Sequence, residues 1–419
     1  MKVIKISDRS WLLQYLIGIL AFIACMTPRF IPTFKIHIGM NISFFTILAI
    51  MIWGCFSRRL VIYKSLESYI FLIWLLLVVA SLAYSKSIGD WLYYFVWIIT
   101  TFFFLQILYT SGSKTNYDCV IYAIVFALLI HLVIGLYEIV FRVHLFHTGN
   151  YGVRFYGTTP ISIFHNPNDY ATFVATTMPF VLYLFGKTRV KAFRIIYAVV
   201  GVFSIYMLLS TKSRAAFYAL VIAAFVMILL RYKRSGRFKI LFIIAGSLLI
   251  AGILVSSRIQ NLLLDQIAGN SINMNVTGDI NRINLINNGI EFLKQTHGLG
   301  IGAGNMKYWL EHRLVYYVGG ILYFHNWYLE LLVTFGVGFF ILYVCFHCKI
   351  LYKLFKHSIV NKRIRGLSSA MLMSFTIFSV VCISSSSNAY SEWVWMYYAV
   401  ISTYCLYLKD SKVLIKNYS

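Results

Sequence analysis

The chain has 419 residues, of which 60% are hydrophobic and 12% charged, with a mean hydropathy of +0.77. That excludes an ordinary soluble globular protein and a disordered one. The formal charge of +24 raises the possibility of a nucleic-acid partner, but the placement of the cations excludes it: the basic runs lie between long apolar segments rather than on one polar domain.

Taken in order, the apolar segments predict twelve membrane-spanning helices at roughly 11–27, 38–56, 66–84, 90–109, 119–141, 168–186, 192–210, 215–230, 238–256, 326–347, 367–386 and 390–408. Each is continuously apolar, which argues against the alternating pattern of a β-barrel. The fold class is therefore an all-α polytopic membrane protein with a long outer loop carrying short helices. Its organisation is helices 1–5 (1–141), an outer loop (142–167), helices 6–9 (168–256), a long outer loop (257–325), and helices 10–12 with a tail (326–419). The N-terminal "MKVIKISDRS" is basic, yet the apolar run after it lacks a small-residue cleavage site, so it reads as the first span.

Most of the 37 Lys and Arg fall in the N-tail, alternate loops and C-tail, including "GKTRVKAFR" (186–194) and "RYKRSGRFK" (231–239). This positive-inside bias predicts cytoplasmic termini and anionic lipid as the partner of the charge. The seven cysteines lie mostly in spans, and no disulfide framework is expected. Cys345 and Cys348 flank His347 in a CxxC near a span end, a spacing that reads as helix packing rather than a metal site. His131 and Glu138, seven apart in the fifth span, fit either an intramembrane functional pair or a buried polar contact.

Four outer stretches carry candidate chemistry. In "FHNPNDYATF" (164–173), Asn166 reads as a helix cap, with Pro167 at the first position and Asp169 at the third. Capping alone accounts for the pattern, and a functional role for Asn168 or Asp169 is the alternative. His165 and Asp169 share a face if the helix begins early. In "STKSRAAFYALV" (210–221), Arg214 and Lys212 are cations on the side that carries few. Snorkelling accounts for them, as does an anionic ligand such as phosphate.

In "GDINRINLINNGIEFLKQTHGLGIGAGN" (278–305), Ile283, Ile286, Ile290 and Leu293 follow helical spacing. They predict a short amphipathic helix lying on the membrane. Arg282 falls in its first turn, where the helix dipole disfavours a cation, which favours a ligand role. "GLGIGAG" lacks the lysine and the preceding strand of a nucleotide-binding loop and reads as a glycine-rich turn. In "YFHNWYLELLVTFGVGFF" (323–340), Asn326 caps the tenth span. His325 sits just outside, where the positive helix end favours a neutral ring able to accept a proton.

These four stretches, in this order over about residues 150–345, resemble the O-antigen ligase/polymerase family of multi-span bacterial enzymes. The resemblance rests on "NPND", the T-x-S-R turn, an arginine opening the helix before "GLGIGAGN", and "HN" ahead of "LELLVTFGVGF". Lys212 and His297 depart from the small residue and the proline that the family often has there.

The resemblance implies the membrane-embedded (GT-C-like) type of glycosyltransferase fold. It also implies transfer of glycan from a polyprenyl diphosphate outside the cytoplasmic membrane. Arg214 and Arg282 would then grip the diphosphate and His325 would serve as base or orienter. Lys212, Asn166, Asn168, Asp169, Asn326 and Arg313 are the further substrate-binding candidates. No cofactor or metal is expected. The expected partners are the lipid-linked oligosaccharide, membrane lipids, a flippase and a chain-length regulator. A polymerase of repeat units is the first reading and a ligase of finished glycan the second. A transporter, which calls for midplane polar sites and internal repeats, is the rival from another class.

Overall fold

A computed structural model of the chain describes residues 11–26, 47–49, 52, 63–111, 114–145, 159–164, 166–231, 278–360, 365–384 and 388–416. Nearly all of the expected span 38–56, the whole of 238–256, the loop segment 257–277 and His165 lie outside them.

The described residues form a helical fold. Its helices are α1 (Trp11–Met26), α2 (Leu66–Ser81), α3 (Ile88–Ser111), α4 (Lys114–Phe141), α5 (Pro167–Lys187) and α6 (Lys191–Ser210). They continue with α7 (Arg214–Arg231), α8 (Gly278–Gln295), α9 (Met306–His312), α10 (Trp327–Val360), α11 (Arg365–Val381) and α12 (Glu392–Lys416). Segments 66–84, 88–109, 117–141, 191–210 and 327–359 are long and apolar enough to cross a membrane. Shorter apolar helices cover 13–26, 214–228 and 366–381. All eight fall on expected spans. α5 and α12 are helical where spans were expected, with more polar sequences.

The bundle forms as continuous apolar helices dictate, each burying one side against neighbours. α1 packs on α4, α5 lies against α6 and α11, α7 against α11, and α12 against α3. Small residues let three of these helices approach closely: Ala171 and Ala175 of α5, Ala216, Ala219 and Ala223 of α7, and Ile377 and Val381 of α11 share one buried layer. On the other side Trp74, Trp327, Phe335, Phe339, Tyr343 and Trp395 pack ring to ring.

α10 is not straight. Tyr328 lies 6.4 Å from Tyr343 and 6.1 Å from His347, ring centre to ring centre. In a continuous helix those pairs would stand about 22 and 28 Å apart at 1.5 Å per residue. The chain turns back at Gly336, whose φ of 80° and ψ of 174° are non-helical. The first half of α10 therefore runs back alongside the second.

The glycine-rich turn holds this break. The N–H groups of Ile301 and Gly302 donate to the carbonyls of Val333 and Thr334, at 2.8 and 2.9 Å. The Val337 N–H donates to the Gly298 carbonyl at 2.9 Å. Backbone groups freed by the break are thus satisfied by the loop, as low-dielectric surroundings require.

One expectation about side chains changes, and one open alternative is decided. Cys345 and Cys348 are exposed and face away from the bundle, while His347 bonds Ser379 at 2.6 Å. They are outward residues rather than packing ones, because a three-residue step keeps both on the helix side opposite the core. His131 and Glu138 are structural. His131 meets the Ser162 hydroxyl and the Cys25 carbonyl, both at 3.0 Å. Glu138 accepts from the N–H groups of Ile161 and Ser162, both at 2.8 Å, and contacts His144 at 3.2 Å. Together they fasten segment 159–164 to α4.

Candidate active site

The candidate residues fall at the N-terminal ends of four helices, α5, α7, α8 and α10. Asn166 caps α5 as its sequence dictates: its side-chain oxygen accepts from the Asp169 N–H at 3.0 Å. Its amide donates to the Asp169 carboxylate at 2.8 Å. Both residues are engaged in starting the helix. Asn168 is half-buried, and its carbonyl accepts from the Thr172 hydroxyl at 2.8 Å.

Arg214 opens α7 after a tight turn in which Lys212 adopts φ 55°. Thr211 stabilises that turn by donating its hydroxyl to the Leu208 carbonyl at 2.6 Å. Arg214 and Lys212 are exposed, while Ser213 between them is buried. Among the described residues Arg214 has no hydrogen-bond or ion-pair partner, so its charge is held outward and available to a ligand.

His325 precedes α10, half-buried, with φ 50°. Asn326 caps the helix, accepting from the Leu329 N–H at 3.1 Å. The next residue, Trp327, donates its backbone N–H to the Cys382 carbonyl at 2.8 Å, which seats the N-terminus of α10 against the end of α11. Val381 at that end shares the alanine layer with the first turns of α5 and α7. Asn166, Arg214 and His325 thus occupy one end of the bundle.

Arg282 lies in the first turn of α8, which packs along the first half of α10: a Cβ on Gly289 would meet Leu329 and Val333 at 3.1 Å. This packing sets Arg282 beside His325. Burial pulls the His325 pKa below the usual 6.5, and the Arg282 charge pulls it further the same way. The ring is neutral near pH 7 and has a lone pair to accept a proton. The causes are burial first and the Arg282 charge second, in place of the helix end expected from sequence.

Arg313 lies elsewhere. It ends α9, exposed, with its guanidinium 6.0 Å from the Trp309 ring centre, a cation–π contact that occupies one face. The exposed side of α8 carries Ile286 and Ile290, while Leu285, Asn288 and Phe292 face inward.

One joint at the site escaped the sequence. Asp90 of α3 accepts from Lys307 at 2.8 Å and from the Tyr390 hydroxyl at 2.9 Å. Tyr390 in turn packs edge-on against Tyr323, two residues before His325. Partners 217 and 300 positions apart leave no local motif to find. Nearby, Tyr94 donates to Glu330 in the first turn of α10 at 2.6 Å. The joint ties α9 and the segment just before α12 to the start of α3.

Residues 174–344 match the O-antigen ligase family. That stretch contains Arg214, Arg282 and His325 and begins after the α5 cap. The chain is also 28% identical over 342 residues to the teichuronic acid biosynthesis protein TuaE of Bacillus subtilis (strain 168). The alignment covers 78% of this chain and 69% of that one. The two similarities point to a ligase or polymerase of surface-polysaccharide biosynthesis. With the apolar helices, they support an O-antigen ligase/polymerase-like family for this multi-pass membrane protein.

Proposed function

We propose that the protein is a polysaccharide polymerase that joins polyprenyl-diphosphate-linked oligosaccharide repeat units on the outer face of the cytoplasmic membrane. What supports transfer chemistry is the half-buried His325, its pKa lowered by burial and by the Arg282 charge beside it. The acceptor hydroxyl gives its proton to His325 as its oxygen bonds the anomeric carbon of the donor. The bond from that carbon to the diphosphate oxygen breaks, and its electron pair leaves with the diphosphate. Arg282 and Arg214 stabilise the growing charge by prearranged electrostatics, so no metal is called for. A single displacement inverts the anomeric centre.

The proposal includes twelve spans in a GT-C-like arrangement, cytoplasmic termini, and a flippase and chain-length regulator as working partners. Lys212, Asn168 and Asn326 line the approach to the diphosphate. A ligase is the second reading, favoured by the description of the matching family. Purified protein in liposomes, given only the lipid-linked repeat unit, separates the two. A polymerase yields a ladder of lengthening lipid-linked glycans. Growth that begins only when a separate terminal acceptor is added would replace it with the ligase.

A further inference from the structure

α8 presents an unusual exposed face. Arg282, Ile286 and Ile290 stand four residues apart and are all exposed, so they form one stripe along the helix. The stripe is about 12 Å long at 1.5 Å per residue. It begins with a cation beside His325 and continues as aliphatic surface. Ile286 and Ile290 are 41% and 44% exposed although α8 has inward positions filled by Leu285 and Phe292. Beyond the helix, Leu299 is 81% exposed at the glycine-rich turn.

The course of this face follows from its neighbours. The turn after α8 docks on Gly336, and Gly302 within it lies against the Tyr84 ring. Tyr84 ends the apolar segment 66–84, whose length matches a bilayer core. The Arg282 end lies beside His325 and the N-terminus of α10. The stripe therefore runs from the proposed reaction centre towards the glycine-rich turn.

We infer that this face binds the first isoprene units of the donor's polyprenyl chain, with Arg282 on the diphosphate and Ile286 and Ile290 on the chain. The inference rests on the reading of the site as a polyprenyl-diphosphate transferase. Head and tail of such a ligand have the order of charge and apolar surface that the stripe has. Bulk phospholipid wetting Ile286 and Ile290 would give no coupling between the stripe and the diphosphate. The chain binding adds apolar contact that a free diphosphate cannot make.

The test uses the full-length protein in nanodiscs and two probes competing with the lipid-linked donor: farnesyl diphosphate and inorganic diphosphate. Ile286→Ala and Ile290→Ala should each weaken inhibition by farnesyl diphosphate about fivefold. They should leave inhibition by inorganic diphosphate within about twofold of wild type. Arg282→Ala should weaken both probes. Equal effects of the isoleucine variants on the two probes, or none on either, overturn the tail site while leaving the transferase reading intact. If the wild-type protein transfers from no polyprenyl-diphosphate donor and neither probe binds, the transferase reading falls, and the tail site with it.

Discussion

His325 accepts a proton only while its ring is neutral, so pH reads out its role. Burial and Arg282 both hold its pKa below 6.5. On the proposed mechanism, transfer is full near neutrality and is lost as pH falls through that lowered value. Arg282→Ala removes one of the two causes, so the acid limb of kcat/KM should move up towards 6.5 even as the rate falls about 100- to 1,000-fold. A limb that stays in place would separate His325 from Arg282. His325→Ala should cost about 100- to 10,000-fold in kcat and remove that limb. Asn166 gives a contrasting case. Its cap with Asp169 is closed within the protein, so Asn166→Ala should lower thermal stability by about 1 kcal/mol. An unchanged donor KM in that variant would confine Asn166 to capping, and a raised one would give it a part in the site.

At the scale of elements, the kink in α10 and the glycine-rich turn form one device. A side chain at Gly336 would force φ of 80° on an L-residue, and a Cβ on Gly300 would stand 2.5 Å from the Gly336 nitrogen. Gly336→Ala and Gly300→Ala should each destabilise by at least about 2 kcal/mol. Because the kink seats the N-terminus of α10, both should also lower transfer, measurable as a joint fall in melting temperature in detergent and in kcat. A Gly336→Ala protein with wild-type stability would contradict the fold-back.

The caps of α5 and α10 were legible in sequence because Asn166, Pro167, Asp169 and Asn326 act within one helical turn. The fold-back was not. "TFGVGFF" alone reads as an uninterrupted span, and only the pairing of Gly298, Ile301 and Gly302 with Val333, Thr334 and Val337 makes the break affordable. The Asp90–Lys307–Tyr390 joint was hidden for the same reason: its energy comes from contacts distant in sequence.

For the whole molecule, hydropathy and charge carried most of the reading. Continuous apolar runs located every described span because a bilayer demands a fixed length of apolar helix. Most Lys and Arg sit in the connections and near helix ends, as a positive-inside bias would place them. Order along the chain brought Arg214, Arg282 and His325 to notice. Their placement at one end comes from tertiary packing: the alanine layer under α7, the Cys382–Trp327 bond, and α8 lying on α10. The most direct measurement is transfer in proteoliposomes with a lipid-linked repeat unit as substrate, comparing wild type with Arg214→Ala, Arg282→Ala and His325→Ala at matched folding. The account predicts a glycan ladder from wild type and unextended lipid-linked repeat unit from all three variants. Full-length ladders from the three variants would contradict it.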